Sequence, residues 1–238
     1  MANELDANLP SLEAAAEVLF VEETAQTLAD EVLDKAQDGS FSYDDVLKYF
    51  NECLVLLAGE FYLEDLERWE DIYTDPTQNH TQLPADFFKN LRFVHSITHN
   101  RKLKIWGSVI QMFRWYSELD TTGPVRMCAI KGRQLYYQRV PDTAEQLRIN
   151  YYAYPERLRT RHDKPDCLPE HLIEALLGNF ALWKIFDKIE DALEGQKPNT
   201  LYYKSLYGEA KADLTAFLGP EEREPQEFPD DIYWDALV

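Results

Sequence analysis

Leu147, Ile149, Tyr151 and Ala153 alternate with Arg148, Asn150, Tyr152 and Tyr154. That period of two gives one apolar and one polar face only in an extended strand. Val140-Pro141-Asp142-Thr143 supplies a turn ahead of it, with proline and aspartate placed where a turn uses them. Further upstream, Val125–Ile130 runs into Lys131-Gly132, and Gly132 is free to take the positive φ of a tight hairpin. Three antiparallel strands in chain order, a β-meander, are expected. Phe87–Ile97 suits another strand, entered through Leu83-Pro84.

The rest of the chain has helical spacing. Leu12, Ala15, Leu19, Ala25, Leu28, Val32 and Ala36 recur near the helical period, which predicts a helix from about Ser11 to Gln37, with Gly39 beyond its end. Ser42 with Asp45 three residues on, after Phe41, reads as a capping-box start. The helix that follows buries Val46, Leu47, Phe50, Leu54 and Leu57, and Gly59 is expected to close it. Pro169 fits the first turn of a helix to about Leu193, whose apolar surface of Leu172, Ile173, Leu176, Leu177, Phe180, Trp183, Phe186 and Ile189 is wide enough to be covered on more than one side. A last helix from about Thr200 to Leu218 stops at Gly219-Pro220. A short helix over Ser108–Leu119 would place Val109, Met112, Phe113 and Tyr116 on one side. The expected fold is therefore mainly α with a β insertion (α+β): a bundle of about four helices carrying an antiparallel β-meander module. Its divisions are 1–60 for the first helices, 61–160 for the inserted module, 161–219 for the last helices and 220–238 for a tail.

Charge follows the same division. Residues 1–79 carry 3 basic and 20 acidic side chains, residues 80–164 carry 15 and 7, and residues 165–238 carry 6 and 16, within a chain of net charge −19. A basic β module thus sits in sequence between acidic helical parts. Opposite signs could pair across the fold. Alternatively, acidic surfaces could line a passage for DNA, where like charge keeps a phosphate backbone moving. A hydrophobic content of 45% argues against disorder. No apolar run reaches the roughly 20 residues of a membrane span, and no basic stretch followed by an apolar core marks a signal peptide. Cys53, Cys128 and Cys167 are odd in number and far apart, as reduced thiols would be.

Several segments in order resemble the head-to-tail adaptor (connector) proteins of tailed bacteriophages: Phe41–Glu52, Leu83-Pro84-Ala85-Asp86-Phe87, Gln134–Asp142, Ile149–Pro155 and Leu168-Pro169-Glu170-His171-Leu172. The likeness covers about residues 40 to 218. It implies a structural, non-enzymatic protein of the virion neck, assembled in the host cytoplasm and using no cofactor. It further implies a dodecameric ring of this chain with the portal protein above and a tail or nozzle protein below. Genomic DNA would pass through without specific binding, and no membrane would be involved.

Residues 220–238 set Pro220, Pro225 and Pro229 among Glu221, Glu222, Glu224, Glu227, Asp230 and Asp231 before ending in Ile232-Tyr233-Trp234-Asp235-Ala236-Leu237-Val238. An aromatic terminus after an acidic, proline-rich linker reads as a peptide that orders on a partner or folds back on its own subunit. In adaptors a C-terminal extension that inserts between portal subunits is a known device. The likeness therefore makes Ile232, Tyr233, Trp234, Leu237 and Val238 the candidate portal-docking residues. Arg148, Tyr152, Tyr154, Arg114, Trp115 and Tyr116 are the candidate surface for a neighbouring subunit or tail component.

Two other functions are weighed. Arg92, Arg101, Lys102, Lys104 and Arg114 interleave with Phe93, Trp106, Phe113, Trp115 and Tyr116, as a single-stranded nucleic-acid surface requires for charge and stacking, and as a core or subunit contact with a basic rim would also show. A cell-wall hydrolase would need two carboxylates of unequal pKa; Glu64, Asp65 and Glu67 are near one another in sequence, but a solvated acidic face explains them as well. His95 and His99 have metal-ligand spacing only on a helix, where the pattern is extended, and Cys167 and His171, with His162 nearby, straddle a helix start without a fourth ligand. Glycine-rich phosphate loops and nucleophile elbows are absent from the sequence.

Overall fold

In a computed structural model, residues 24–116, 121–191 and 197–219 are described. The chain divides into two units, Met1–Cys53 with Arg157–Asp213, and Leu54–Glu156 with Leu214–Val238. The class is α+β, with helices and two sheets.

The first unit is helical. Helix α1, Ala25–Ala36, opens at Thr24, whose extended backbone (φ −93°, ψ 162°) and reciprocal cap with Thr27 mark a true start. The long helix expected from Ser11 is therefore interrupted there, and residues 11–23 lie outside the described region. The first amides of α1 also find partners: Ala25 N–H donates to the carbonyl of Asp163 (2.9 Å) and Gln26 N–H to that of Arg161 (3.1 Å). The loop supplying those carbonyls is shaped by one side chain. The Asp163 carboxylate accepts from the Thr160 hydroxyl and from the amides of Arg159 (2.6 Å) and Thr160 (2.9 Å). The hydroxyl first and the two amides next hold its pKa at about 2, against an ordinary 3.8.

A depressed carboxyl pKa contributes stability that is complete above the unfolded value and fades as pH falls through the folded one. Asp163→Asn is therefore expected to flatten the pH dependence of unfolding between 3.8 and about 2. Urea midpoints at a series of pH values, identical in shape for both chains, would contradict this.

Helix α2, Tyr43–Glu60, starts as expected. Ser42 N–H donates to Asp45 Oδ2 (3.0 Å) while Asp45 N–H donates to Ser42 Oγ (3.3 Å), the two halves of a capping box. Val46, Leu47, Phe50, Leu54 and Leu57 are all buried. Gly59 does not close the helix but lies one residue inside its end.

The helix expected after Pro169 runs as α3, Glu170–Ile173, then a π turn, Glu174–Gly178, then α4, Asn179–Glu190. Pro169 sits at the N-cap. A π turn inserts one residue and rotates the following face by about 100°, so Leu176, Leu177, Phe180, Ala181, Leu182 and Ile185 are all buried despite their spread along the sequence. Helix α1 packs against this turn and α4.

Helix α5, Pro198–Leu218, ends as expected at Gly219, whose φ of 71° only glycine adopts freely. Its start is capped from α4. Buried Glu190 accepts the amides of Asn199 (3.1 Å) and Thr200 (3.0 Å) and the Thr200 hydroxyl (2.8 Å). Burial opposes its ionisation, yet these donors prevail and hold the carboxyl below its usual pKa.

The second unit contains two four-stranded sheets. Strands β1 (Glu67–Tyr73), β3 (Phe87–Ser96), β4 (Arg101–Lys102) and β8 (Gln146–Ala153) form one, in the order β1-β8-β3-β4. Strands β2 (His80–Gln82), β5 (Lys104–Trp106), β6 (Met127–Lys131) and β7 (Gln134–Tyr137) form the other, in the order β2-β7-β6-β5. The β6–β7 hairpin turns at Gly132 (φ 64°), as expected.

The third strand of the expected meander does not continue that hairpin. Strand β8 lies between β1 and β3 in the other sheet. The physical reason is burial. Its Leu147, Ile149, Tyr151 and Ala153 join Ile72, Val94, Leu103, Val125, Cys128, Leu135 and Tyr137 in a single core to which both sheets contribute. The buried Cys128 thiol is pushed up to about 12, and none of the three cysteines is in a disulfide.

Residues 101–106 belong to both sheets. Arg101 and Lys102 pair with β3, Leu103 donates its amide to Val94 (2.8 Å), and Lys104–Trp106 pair in parallel with β6.

Candidate contact surfaces

Register places the candidate side chains. Across the first sheet Asp71, Arg148, His95 and Lys102 stand in one row, and Trp69, Asn150 and Phe93 in the next. Directly opposed residues share a face, and Leu147 and Ile149 point the other way into the core. The outward face is thus charged and aromatic.

Arg148 forks onto Asp71 through Nε–Oδ1 (2.8 Å) and a second bond to Oδ2 (2.9 Å). Each partner favours the other's charged form: the Asp71 carboxyl is lowered and the Arg148 guanidinium raised. Trp69, Glu70, Asp71 and Arg148 line a shallow depression. Trp69 packs edge-on against Phe93 (5.7 Å), Phe93 stacks with His95 (6.1 Å), and Lys102 Nζ lies 5.6 Å over the Phe93 ring. Trp69 and Tyr73 are exposed. Neither stood out in the sequence, because β1 has a single inward apolar residue, Ile72, among charged ones.

The second surface is the corner formed by β4, β5 and the short helix α6, Val109–Trp115. Although it follows β5 in the chain, α6 belongs to this unit. Ser108 caps it, accepting the Ile110 amide (3.2 Å), and Val109 and Met112 anchor it against Ala129 of β6. The helix therefore turns Ile110, Arg114 and Trp115 outward, and Trp115 is 74% exposed. Trp106 lies 6.4 Å from Trp115, beneath Lys104 Nζ at 5.1 Å, and its indole N–H points at Met127 Sδ (3.3 Å).

The six residues picked from the sequence as a contact surface do not form one patch. Arg114, Trp115 and Tyr116 are together at this corner, and Tyr116 is exposed. Arg148 belongs to the sheet face. Tyr154 is exposed beyond the end of β8, six residues on and so about 20 Å away, with its ring 4.4 Å from that of Phe88. Tyr152 is not a surface residue: it is 3% exposed, with the Tyr62 ring 5.1 Å away edge-on and Arg92 bonded to its hydroxyl. Ile232, Tyr233, Trp234, Leu237 and Val238 lie outside the described residues.

Of the basic residues interleaved with aromatics, Arg92 pairs with Glu67 (3.4 Å) and Arg101 donates to the Val125 carbonyl (2.8 Å). Both are used within the fold. Lys102, Lys104 and Arg114 are exposed.

The residues considered for catalysis and metal binding are separated or engaged. His95 is on β3 and stacks on Phe93, while His99 lies in the turn after it and reaches Glu145 (Nε2–Oε1 3.3 Å). Glu67 accepts the Asn150 amide (2.6 Å) as well as Arg92. Glu64 and Asp65 form the short helical turn before β1. Among the described residues no three His, Cys, Asp or Glu side chains are grouped as a metal site.

No curated protein matches the chain. Residues 23–226, which take in every described element after Thr24, match the family model of the SU10 adaptor protein; the chain belongs to this family of phage head-to-tail adaptors.

Proposed function

We propose that this structural phage adaptor forms a ring beneath the portal, dodecameric as the family likeness implies, continues the DNA channel and offers the attachment site for the next tail or nozzle protein. The observation that carries this reading is the family match over residues 23–226. Residues 220–238 serve as the portal anchor, with Ile232, Tyr233, Trp234, Leu237 and Val238 ordering on the portal. Arg148 and Tyr154, and separately Arg114, Trp115 and Tyr116, face a neighbouring subunit or the component below. Exposed aromatics beside arginine are what interface centres are enriched in.

The net charge of −19 supports passage of DNA without specific binding. No described helix is long and apolar enough to cross a membrane. The place of action is the virion neck, after assembly in the host cytoplasm.

Sizing by light scattering tests the assembly, with the purified chain alone and with portal. The full chain is expected to join the portal as a ring, and removal of residues 220–238 is expected to abolish that association while leaving the unfolding midpoint unchanged. Portal binding that survives the truncation refutes the anchor. A chain that stays monomeric with portal present refutes the ring.

A further inference from the structure

Among the described residues, strand β1 is the long open edge of the two sheets. It pairs with β8 through seven consecutive positions without a bulge, and no strand lies on its other side. The other edge strands, β2, β4 and β5, have three, two and three residues. Short length guards an edge against stray pairing, as do proline, bulges and a covering strand or loop. Strand β1 has none of these, and its charges are matched. Glu67 pairs with Arg92, Asp71 with Arg148 and Arg68 with Glu156 (3.7 Å), while Glu70 accepts the Tyr151 hydroxyl (2.9 Å).

Ladder parity says which backbone groups point outward. Just beyond the strand, Thr74 N–H donates to the Glu145 carbonyl (3.0 Å), in register with the seven pairs. Hydrogen-bonding direction alternates along a strand, so Arg68, Glu70 and Ile72 also turn to β8, and Glu67, Trp69, Asp71 and Tyr73 turn away from it. The Tyr73 carbonyl agrees, accepting the Thr81 hydroxyl (3.0 Å). The N–H and C=O groups of Glu67, Trp69 and Asp71 have no backbone partner among the described residues. Side chains of this parity stand on the outward face, where Trp69 is 58% and Tyr73 62% exposed.

We infer that β1 accepts an added strand from the protein that attaches next to the ring. The added segment is extended, bonds the backbone of Glu67, Trp69 and Asp71, and sets apolar residues beside Trp69 and Tyr73. This rests on the proposed ring and on the Arg148 face as a contact, and it says what kind of contact that is. A second copy fits the edge less well. Its other edges are too short to mate with seven residues, and β1 against β1 across a two-fold closes a pair and makes no ring.

Hydrogen exchange at single amides, on the free chain and on necks isolated from tailed particles, is the first test. The Trp69 and Asp71 amides are expected to exchange at least about a hundredfold more slowly in the neck. Exchange as fast as in the free chain overturns the inference. Two substitutions introduced into the phage give a second arm. Trp69→Ala removes the indole and keeps the N–H, whereas Trp69→Pro also removes the outward N–H, a change that an edge strand tolerates with its own ladder intact. Heads carrying Trp69→Pro are expected to gain tails at least about tenfold less often than heads carrying Trp69→Ala, with equal urea midpoints for the two chains and equal ring formation on portal. Equal tail joining means that no strand adds there. If Trp69→Pro unfolds earlier, the exchange measurement decides alone. Loss of the ring in Trp69→Pro only, or a dimer of the free chain that Trp69→Pro abolishes, gives the edge to a second copy and overturns the inference. Ring formation by the unsubstituted chain is sized separately, so failure of the proposed function and failure of the edge are told apart.

Discussion

Phe180→Ala is expected to lower the stability of the helical unit by about 4 kcal/mol, the usual scale for emptying a buried aromatic site. Phe180 is 1% exposed, with Trp183 at 5.6 Å and Tyr207 at 5.2 Å, both edge-on, and Lys184 Nζ 5.1 Å over its ring. Those neighbours are large planar groups fixed by one another, since Trp183 and Tyr207 are themselves 6.1 Å apart. They close poorly over a vacated ring. Phe180→Leu keeps most of the volume and is expected to cost about 1 kcal/mol. Urea unfolding followed by far-ultraviolet circular dichroism separates the two. Equal losses for both variants would show that the vacated volume contributes little and that the ring contacts carry the loss.

Glu145→Ala is expected to cost the β module about 3 kcal/mol, through donors left unpaired and not through lost volume. The side chain is 1% exposed, its two oxygens accept from the Val125 amide (2.8 Å) and the Ser96 hydroxyl (3.2 Å), and His99 Nε2 lies 3.3 Å from Oε1. Its backbone exchanges two bonds with Thr74, amide to hydroxyl (2.9 Å) and carbonyl from amide (3.0 Å). The residue thereby joins the ends of β1 and β3, the start of β8 and the approach to β6. Glu145→Gln retains one accepting oxygen and is expected to lose about half as much. Hydrogen exchange at the Val125 amide reads the mechanism directly. An amide equally protected in Glu145→Ala would mean that its bond to the carboxylate does not hold this corner together.

Features specified within a few residues were legible in the sequence. Ser42 with Asp45, Gly132 and Gly219 each act on their own backbone, strand β8 announced itself by apolar alternation, and β3 was expected from the extended run after Leu83-Pro84. What the sequence hid is set by distant partners. The eight-residue alternation of β8 looks the same beside β7 as beside β1 and β3, so its placement followed only from the core it completes. Thr24 was hidden because apolar spacing continues through it while its own cap breaks the helix. Strand β1 was hidden by its charges, and the π turn by the unbroken apolar character on either side.

The same division holds for the contact surfaces. Arg114, Trp115 and Tyr116 are exposed because a short helix fixes their direction locally. Tyr152 has the outward parity of Arg148, but Tyr62 and Arg92, from other parts of the module, close over it. Glu145 resembled any other acidic residue in a turn until Ser96, His99 and Val125 were brought to it.

Residues 101–106 pass without interruption from one sheet to the other, with Leu103 at the crossing. A pull on β3 therefore reaches β5 along covalent bonds and β6 through the β5–β6 pairing, as well as through packed side chains. The two sheets cannot be drawn apart by slip at their interface alone, because one extended segment must first unzip from one of them. The crossing is a tie whose release costs the pairing of β4 with β3 or that of β5 with β6.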